Sequence, residues 1–385
     1  MQVHLKMTKL CAVFIALVTL QACATSGPLL VARDQFRQGS PDDALQTLEN
    51  AEVSNRDQLL LYLDQGLIAQ ASGKYTESKF AFERAMEIIE ELDYVSVRDQ
   101  TASIITSDWA ARYPGETSEQ LWVHTFQMLN YLLLNSPEGA AVEARRAAAF
   151  YDEHGDSLKN DIFTRTLMAL SFETAGQPNG ARVEYRKLAN DFDLNPPPLL
   201  NKNESELVFV IASGFIDPKL PGDLFFGYDA RIAFPYYAPS FQTVPQTTVR
   251  VNGETSNIIT ANTALVEISQ AALEARGKSV AVRQALRLAA KHNMADSISD
   301  QSEVAGTIAK VFLLAIEQAD TRSWETLPAH MTLVRVPLKP GKHSISLDVS
   351  SSSNASSSDL SRIFDVELAP GQRQFKLLRT GIPHQ

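Results

Sequence analysis

Hydrophobic positions change their period along the chain, and each change predicts an element class. From Leu10 to Leu20 they form an unbroken apolar run of 11 residues behind Lys6 and Lys9. Such a run has the size of a signal-peptide core and is well short of the ~20 residues of a spanning helix. From about residue 30 to 190 apolar residues recur at helical spacing, with breaks at Gly39, Gly73, Ser136-Pro137-Glu138 and Gly176. Pro196, Pro197 and Pro198 then remove three amide donors, so neither a helix nor a central strand continues through them. Beyond them the period is two. Leu207–Ile211 reads as a buried strand, followed by Arg231–Phe234 and Thr247–Val251, the last turning at Asn252-Gly253. Met331–Val336 and His343–Val349 are expected to pair as a hairpin through Pro340-Gly341. Phe364–Leu368 and Gln374–Leu378 are expected to do so through Pro370-Gly371. The serine-rich stretch 350–358 is expected to be a loop tip between these hairpins. Residues 262–319 interrupt the strands with an Ala-rich helical block.

The helical region contains an internal repeat. Residues 61–88 resemble a tetratricopeptide repeat, with Gly66 on the first helix, Gly73 and Tyr75 at the turn, and Ser78, Phe82 and Ala85 on the second helix. Small residues at 66 and 78 let two helices cross closely. Gly39, Ala44, Leu48 and Ala51 stand 34 residues upstream of Gly73, Ser78, Phe82 and Ala85, which is the tetratricopeptide period. Residues 119–149 and 160–189 give two looser units, and the phase is lost between Ala85 and Trp122. The predicted fold class is therefore α+β and multidomain. An N-terminal tetratricopeptide-like α-solenoid is followed by an antiparallel β-sandwich with a helical insertion. The boundaries are a signal peptide over 1–22, a lipidated linker over 23–29, the repeat domain over 30–190, a Pro-rich linker over 191–205 and the sandwich over 206–380. The alternative for the first domain is a helical bundle without true repeats.

The leader carries its own chemistry. Leu20-Gln21-Ala22-Cys23 looks like a bacterial lipobox, although Gln21 departs from the commoner small residue at that position. The resemblance implies a diacylglyceryl thioether on Cys23, with cleavage before it and acylation of the new N-terminus. The alternative is an ordinary secretory signal. By resemblance to proteobacterial lipoproteins, Ala24 in place of Asp directs the protein to the outer membrane, facing the periplasm. Cys11 is the only other cysteine, so the remaining chain forms no disulfide and no thiolate metal site. Losing Lys6 and Lys9 with the leader takes the net charge from −10 to −12. That balance argues against nucleic acid as a partner.

Local catalytic signatures are missing from the sequence. Gly277-Lys278-Ser279 ends like a phosphate loop, but Ala272 stands where the earlier glycine belongs. Asp191-Phe-Asp193-Leu-Asn195 begins like a calcium loop, but Pro196 takes the glycine position. Asp152-Glu-His-Gly-Asp156 reads as a solvated turn rather than a cation site. No HExxH or GxSxG occurs. No cofactor beyond the lipid is expected, and no catalytic or metal residue is assigned. Two segments stand out. His124, Asn130, Arg145 and Arg146 are candidates to line a concave groove, with Glu143 against Arg146 at i,i+3. The competing reading buries Asn130 and His124 in hydrogen bonds between helices. Asp320, Arg322 and Trp324 form the second segment, for which a structural role is expected. There Asp320 pairs with Arg322, and Trp324 closes the core between insertion and sheet.

The sequence L129-N-Y-L, V142-E-A-R-R-A and A319-D-T-R-S-W-x-T-L-P-A resembles a group of proteobacterial outer-membrane lipoproteins with tetratricopeptide-like repeats and a C-terminal β-rich domain. The likeness spans most of the mature chain. Genes of that group often lie near those for lipoprotein activators of penicillin-binding proteins. It implies a scaffold or adaptor that binds another cell-envelope protein through its helical groove, in peptidoglycan synthesis or outer-membrane assembly. The alternatives are a cell-wall hydrolase or transferase using Glu116 or Glu119, and a purely structural envelope protein.

Overall fold

The computed structural model describes residues 27–98, 111–193, 197–226, 230–240, 242–277, 319–350 and 360–381. Cys23, most of the predicted helical insertion and most of the serine-rich stretch lie outside these residues. The chain is a mixed α+β protein. Its helices come first, as α1 (Gly27–Arg37), α2 (Pro41–Glu49), α3 (Gln58–Ala71), α4 (Tyr75–Arg98), α5 (Thr117–Leu133), α6 (Pro137–Leu158), α7 (Ile162–Thr174) and α8 (Pro178–Phe192).

Consecutive helices pack as hairpins, and all four hairpins turn by the same hydrogen bonds. Gly39, Gly73, Asn135 and Gly176 each have positive φ. Each donates its N–H to the carbonyl three residues back, and the next residue donates to the carbonyl five back. These paired bonds satisfy the orphan carbonyls of the first helix and reverse the chain in two residues. Pro41, Pro137 and Pro178 then open the second helices, where a missing N–H costs nothing.

Within the second hairpin, α3 and α4 meet where Gly66 faces Phe82. A Cβ at Gly66 would lie 2.4 Å from the fully buried Phe82 ring. Gly66→Ala is therefore expected to destabilise the protein by about 1–3 kcal/mol, read from the shift in its urea midpoint at unchanged slope.

The strands are β1 (Ser205–Ser213), β2 (Lys219–Phe226), β3 (Ala230–Tyr237), β4 (Gln246–Val251), β5 (Glu254–Thr255), β6 (Ile259–Ala264), β7 (His330–Leu338), β8 (Gly341–Ser350), β9 (Leu360–Leu368) and β10 (Arg373–Thr380). One four-stranded sheet has the order β10-β1-β7-β6 and another the order β5-β4-β8-β9, while β2 and β3 pair as a separate ribbon. A further helix, α9, covers 265–277.

Three expectations about the strands are corrected. Neither Pro-Gly turn closes a hairpin. β7 pairs with β1 and β6, whereas β8 pairs with β4 and β9. Pro340-Gly341 and Pro370-Gly371 therefore carry the chain from one sheet to the other, and the true hairpin partners are β8 and β9. Burial explains the sorting: β7 is covered on both faces, while β8 alternates and fits an outer sheet. Next, the first sheet is not wholly antiparallel, because β10 runs parallel to β1. Last, residues 262–264 belong to β6 rather than to a helical insertion.

β1 is buried at all nine positions because it separates two cores. Leu207, Phe209 and Ile211 meet Ile345, Leu347 and Val349 of the second sheet. Val208, Val210 and Ala212 face the helices and share one continuous core with them. The first helices of the later hairpins lie on this sheet, α3 and α5 against β10 and α7 against β6 and β7. Buried residues consequently run almost without a break through 163–172 of α7.

Candidate functional site

The segment 319–329 threads between the helices and the first sheet, and Asp320, Arg322, Glu325 and Thr326 all bond through their side chains. Asp320 accepts from Arg322 Nε at 2.8 Å and Nη2 at 2.7 Å. Arg322 Nη1 reaches Asp57 and the carbonyls of Arg56 and Ala111, each at 3.1 Å, and its guanidinium lies 5.2 Å from the Tyr113 ring centre. Burial disfavours the Arg322 cation, but Asp320 and Asp57 outweigh it and hold the guanidinium above its usual value. Trp324 donates its backbone N–H to Glu119 at 2.7 Å. Its ring packs edge-on against Phe82 and Phe126, 5.7 and 5.4 Å away. Glu325 takes Arg33 at 2.9 Å and Arg37 at 3.1 Å, and Thr326 donates to Asp64 at 2.8 Å. The segment is thus a latch across α1, α3, α4 and α5. Trp324 sits in the core of the helical array, and most of the insertion it was expected to meet lies outside the described residues.

The four groove candidates do not converge. Asn130 is fully buried, donating to Ser78 at 2.9 Å and accepting from Gln70 at 2.7 Å. A helical Asn was the sequence signal, and its use is to pin α3, α4 and α5 together. His124 Nδ1 lies 2.8 Å from Glu143, which also takes Arg146 at 2.9 Å, while Arg145 turns away to Gln177 at 3.1 Å. Glu143 organises this surface cluster. Moreover, among the described residues α3, α5 and α7 carry the chain's own first sheet, and Trp324 is buried in the core they share with it.

Glu116 and Glu119 stand at the start of α5, and both are buried. Glu119 accepts from Tyr113 at 2.7 Å and from the Glu116 backbone at 3.0 Å. Burial pushes its carboxyl above the ordinary range. Glu116 meets Lys219 of β2 at 2.6 Å and Arg276 of α9 at 3.0 Å. These contacts tie α5, β2 and α9 to one point.

An open cleft of about 610 Å³ lies between α6, α7 and α8. Tyr151, Asp152, Asp156, Lys159, Arg165 and Lys187 line it. Residues 152–156 are not a turn, as expected, but lie in α6, so Asp152 and Asp156 stand one helical turn apart on the cleft side. Arg165 is held by the Lys159 carbonyl at 2.9 Å and by Asp191, and lies 5.5 Å from the Phe192 ring centre. The sequence signal for the cleft was present in the charged 152–156 stretch, but its partners come from two later helices. Among the described residues no group of three or more His, Cys, Asp or Glu is arranged for a metal ion, and no helix is long and apolar enough to cross a membrane. No family model, curated protein or solved structure matches the chain.

Proposed function

We propose that the chain is a lipid-anchored adaptor on the periplasmic side of the outer membrane, and that it takes a charged segment of another cell-envelope protein into the α6–α8 cleft. In this reading the helical part is tetratricopeptide-like and the two larger sheets form a sandwich. The cleft carries the proposal: it is open, of ligand-binding size, and lined by charges of both signs. The four identical hairpin turns support a repeat origin for the helices. The lipobox-like Leu20-Gln-Ala-Cys23 supports the anchor. So does α1, which begins four residues after Cys23 and exposes Leu30 and Val31 beside the acylated end. A tether confines the protein to the membrane plane and raises the effective concentration of any membrane-attached partner.

The test places a photo-crosslinking residue at Asp156 or Lys187, and for comparison at Lys342 on β8. Crosslinks to one envelope protein from both cleft positions, lost in Lys159→Glu, are the expected result, together with palmitate incorporation that Cys23→Ser abolishes. Crosslinks from Lys342 alone would move the binding surface to the sheets. Palmitate labelling that survives Cys23→Ser would remove the anchor.

A further inference from the structure

The β2–β3 ribbon is rooted at the end of the helical array where α1 begins. Lys219, the first residue of β2, meets Glu116 just before α5 at 2.6 Å. The carbonyl of Ala238, one residue past β3, accepts from Gln270 of α9 at 3.1 Å. α9 is itself tied to the start of α5, since Arg276 meets Glu116 at 3.0 Å. The starts of α3 and α5 are neighbours: Arg322 bridges Asp57 and the Ala111 carbonyl, and the Tyr113 N–H donates to Arg56 at 2.8 Å. α1 runs the same way. From Arg322 to Thr326 the latch climbs from Asp57 to Asp64 on α3 while it climbs from Arg33 to Arg37 on α1. Cys23 precedes α1 by four residues, at most ~14 Å of chain.

The ribbon carries an apolar surface into solvent. Residues opposite one another in an antiparallel pair share a face, so Leu220 with Tyr236, Gly222 with Phe234 and Leu224 with Ile232 form one side. The Phe234 ring lies across Gly222, where a Cβ would come within 2.7 Å of it. Leu220 and Tyr236 are exposed, and towards the far end Leu224 is 52% and Phe225 70% exposed. A two-stranded ribbon is marginally stable by itself in water, and an exposed apolar patch of this kind marks a binding surface.

We infer that the β2–β3 ribbon is a second membrane contact, which lays Leu224 and Phe225 into the interface of the bilayer that holds the Cys23 acyl chains. The occupant is lipid because the four-residue tether keeps this end of the array against the membrane. Eight residues of strand span about 26 Å, enough to reach the bilayer from the start of α5. Tyr236 suits the headgroup level, with an apolar ring and a polar hydroxyl. An acyl tether alone leaves the body free to rotate, and the ribbon fixes which end faces the membrane. The inference rests on the anchor reading and not on the α6–α8 cleft.

The experiment places the mature, acylated chain in vesicles of phosphatidylethanolamine and phosphatidylglycerol. With Cys23 acylated, Leu224→Cys supplies the free thiol for a nitroxide, and Lys342→Cys on β8 gives the reference. The label at 224 is expected to meet oxygen dissolved in the lipid and to be shielded from a water-soluble nickel chelate, and the label at 342 the reverse. Cys23→Ser protein made without residues 1–22 tests the ribbon apart from the acyl chains. It should float with the same vesicles, and adding Leu224→Ser with Phe225→Ser should lower that binding about tenfold. A 224 label as open to nickel as the 342 label, or flotation unchanged by the two serines, would overturn the ribbon contact while leaving palmitate on Cys23 intact. Failure of palmitate labelling with flotation preserved would remove the anchor instead. A dimer in sedimentation that the two serines dissociate, with no binding to vesicles, would give the ribbon to a second copy and overturn the inference. Should the double variant unfold, quenching of Phe225→Trp by lipids brominated along the acyl chain decides.

Discussion

Trp324→Ala is expected to destabilise the protein by about 3–5 kcal/mol, among the largest effects of any single truncation. The indole is fully buried and is wedged between Phe82 and Phe126, so the void left behind is walled by rings that are themselves held in place. The flanking ion pairs of Asp320, Arg322 and Glu325 prevent the segment from collapsing into the gap. Trp324→Phe should cost much less, because the indole N–H is buried without a partner among the described residues and its removal forfeits no bond. Urea unfolding followed by circular dichroism separates the two variants. A loss below about 1 kcal/mol for Trp324→Ala would mean that the 319–329 latch is not part of the core.

Glu206→Leu is expected to cost a similar ~3–5 kcal/mol, for an electrostatic reason. Glu206 on β1 accepts from Arg335 of β7 at 2.7 Å and from Arg373 of β10, and all three side chains are 3% exposed. Arg373 continues to Glu173 of α7 at 2.7 Å, and Arg335 to the Tyr185 hydroxyl at 3.1 Å. The network thereby joins three strands to the last helical hairpin. Without Glu206 two guanidiniums remain buried with one carboxylate between them. The double variant Glu206→Leu with Arg335→Met should be more stable than Glu206→Leu alone, since it removes the stranded cation with its partner. A double variant whose loss equals the sum of the two single losses would show that the charges act independently.

Much of the helical half was legible because its cause is local. The 34-residue spacing carries Gly39 and Gly73 to equivalent turns, and small residues at Gly66 and Ser78 permit close helix crossing. Leu207–Ile211 read as a buried strand because both its faces are covered. Other elements were hidden. β2 contains Pro221 and Gly222, which argue against a strand, and β6 is the polar run Ile-Thr-Ala-Asn-Thr-Ala. β6 is specified by a neighbour far away in sequence. Thr263 donates to Asp161 at 3.0 Å, and Asp161 also takes the Trp122 indole at 2.9 Å.

The candidate sites divide along the same line. His124, Asn130, Arg145 and Arg146 were visible as polar residues in helices, and the Glu143–Arg146 pair follows from their spacing alone. Which of them face water depends on how the helices pair: Asn130 is buried against Gln70 and Ser78, 60 and 52 residues before it. The sequence by itself determined the α+β class, the hairpin turns and the residues able to carry charge, because backbone sterics and short-range hydrogen bonding act within a few positions. Tertiary structure alone decided that the two Pro-Gly turns cross between sheets and that the first sheet packs over α3, α5 and α7. Those outcomes come from burying apolar faces against partners remote in the chain, and no local pattern encodes which partner will arrive.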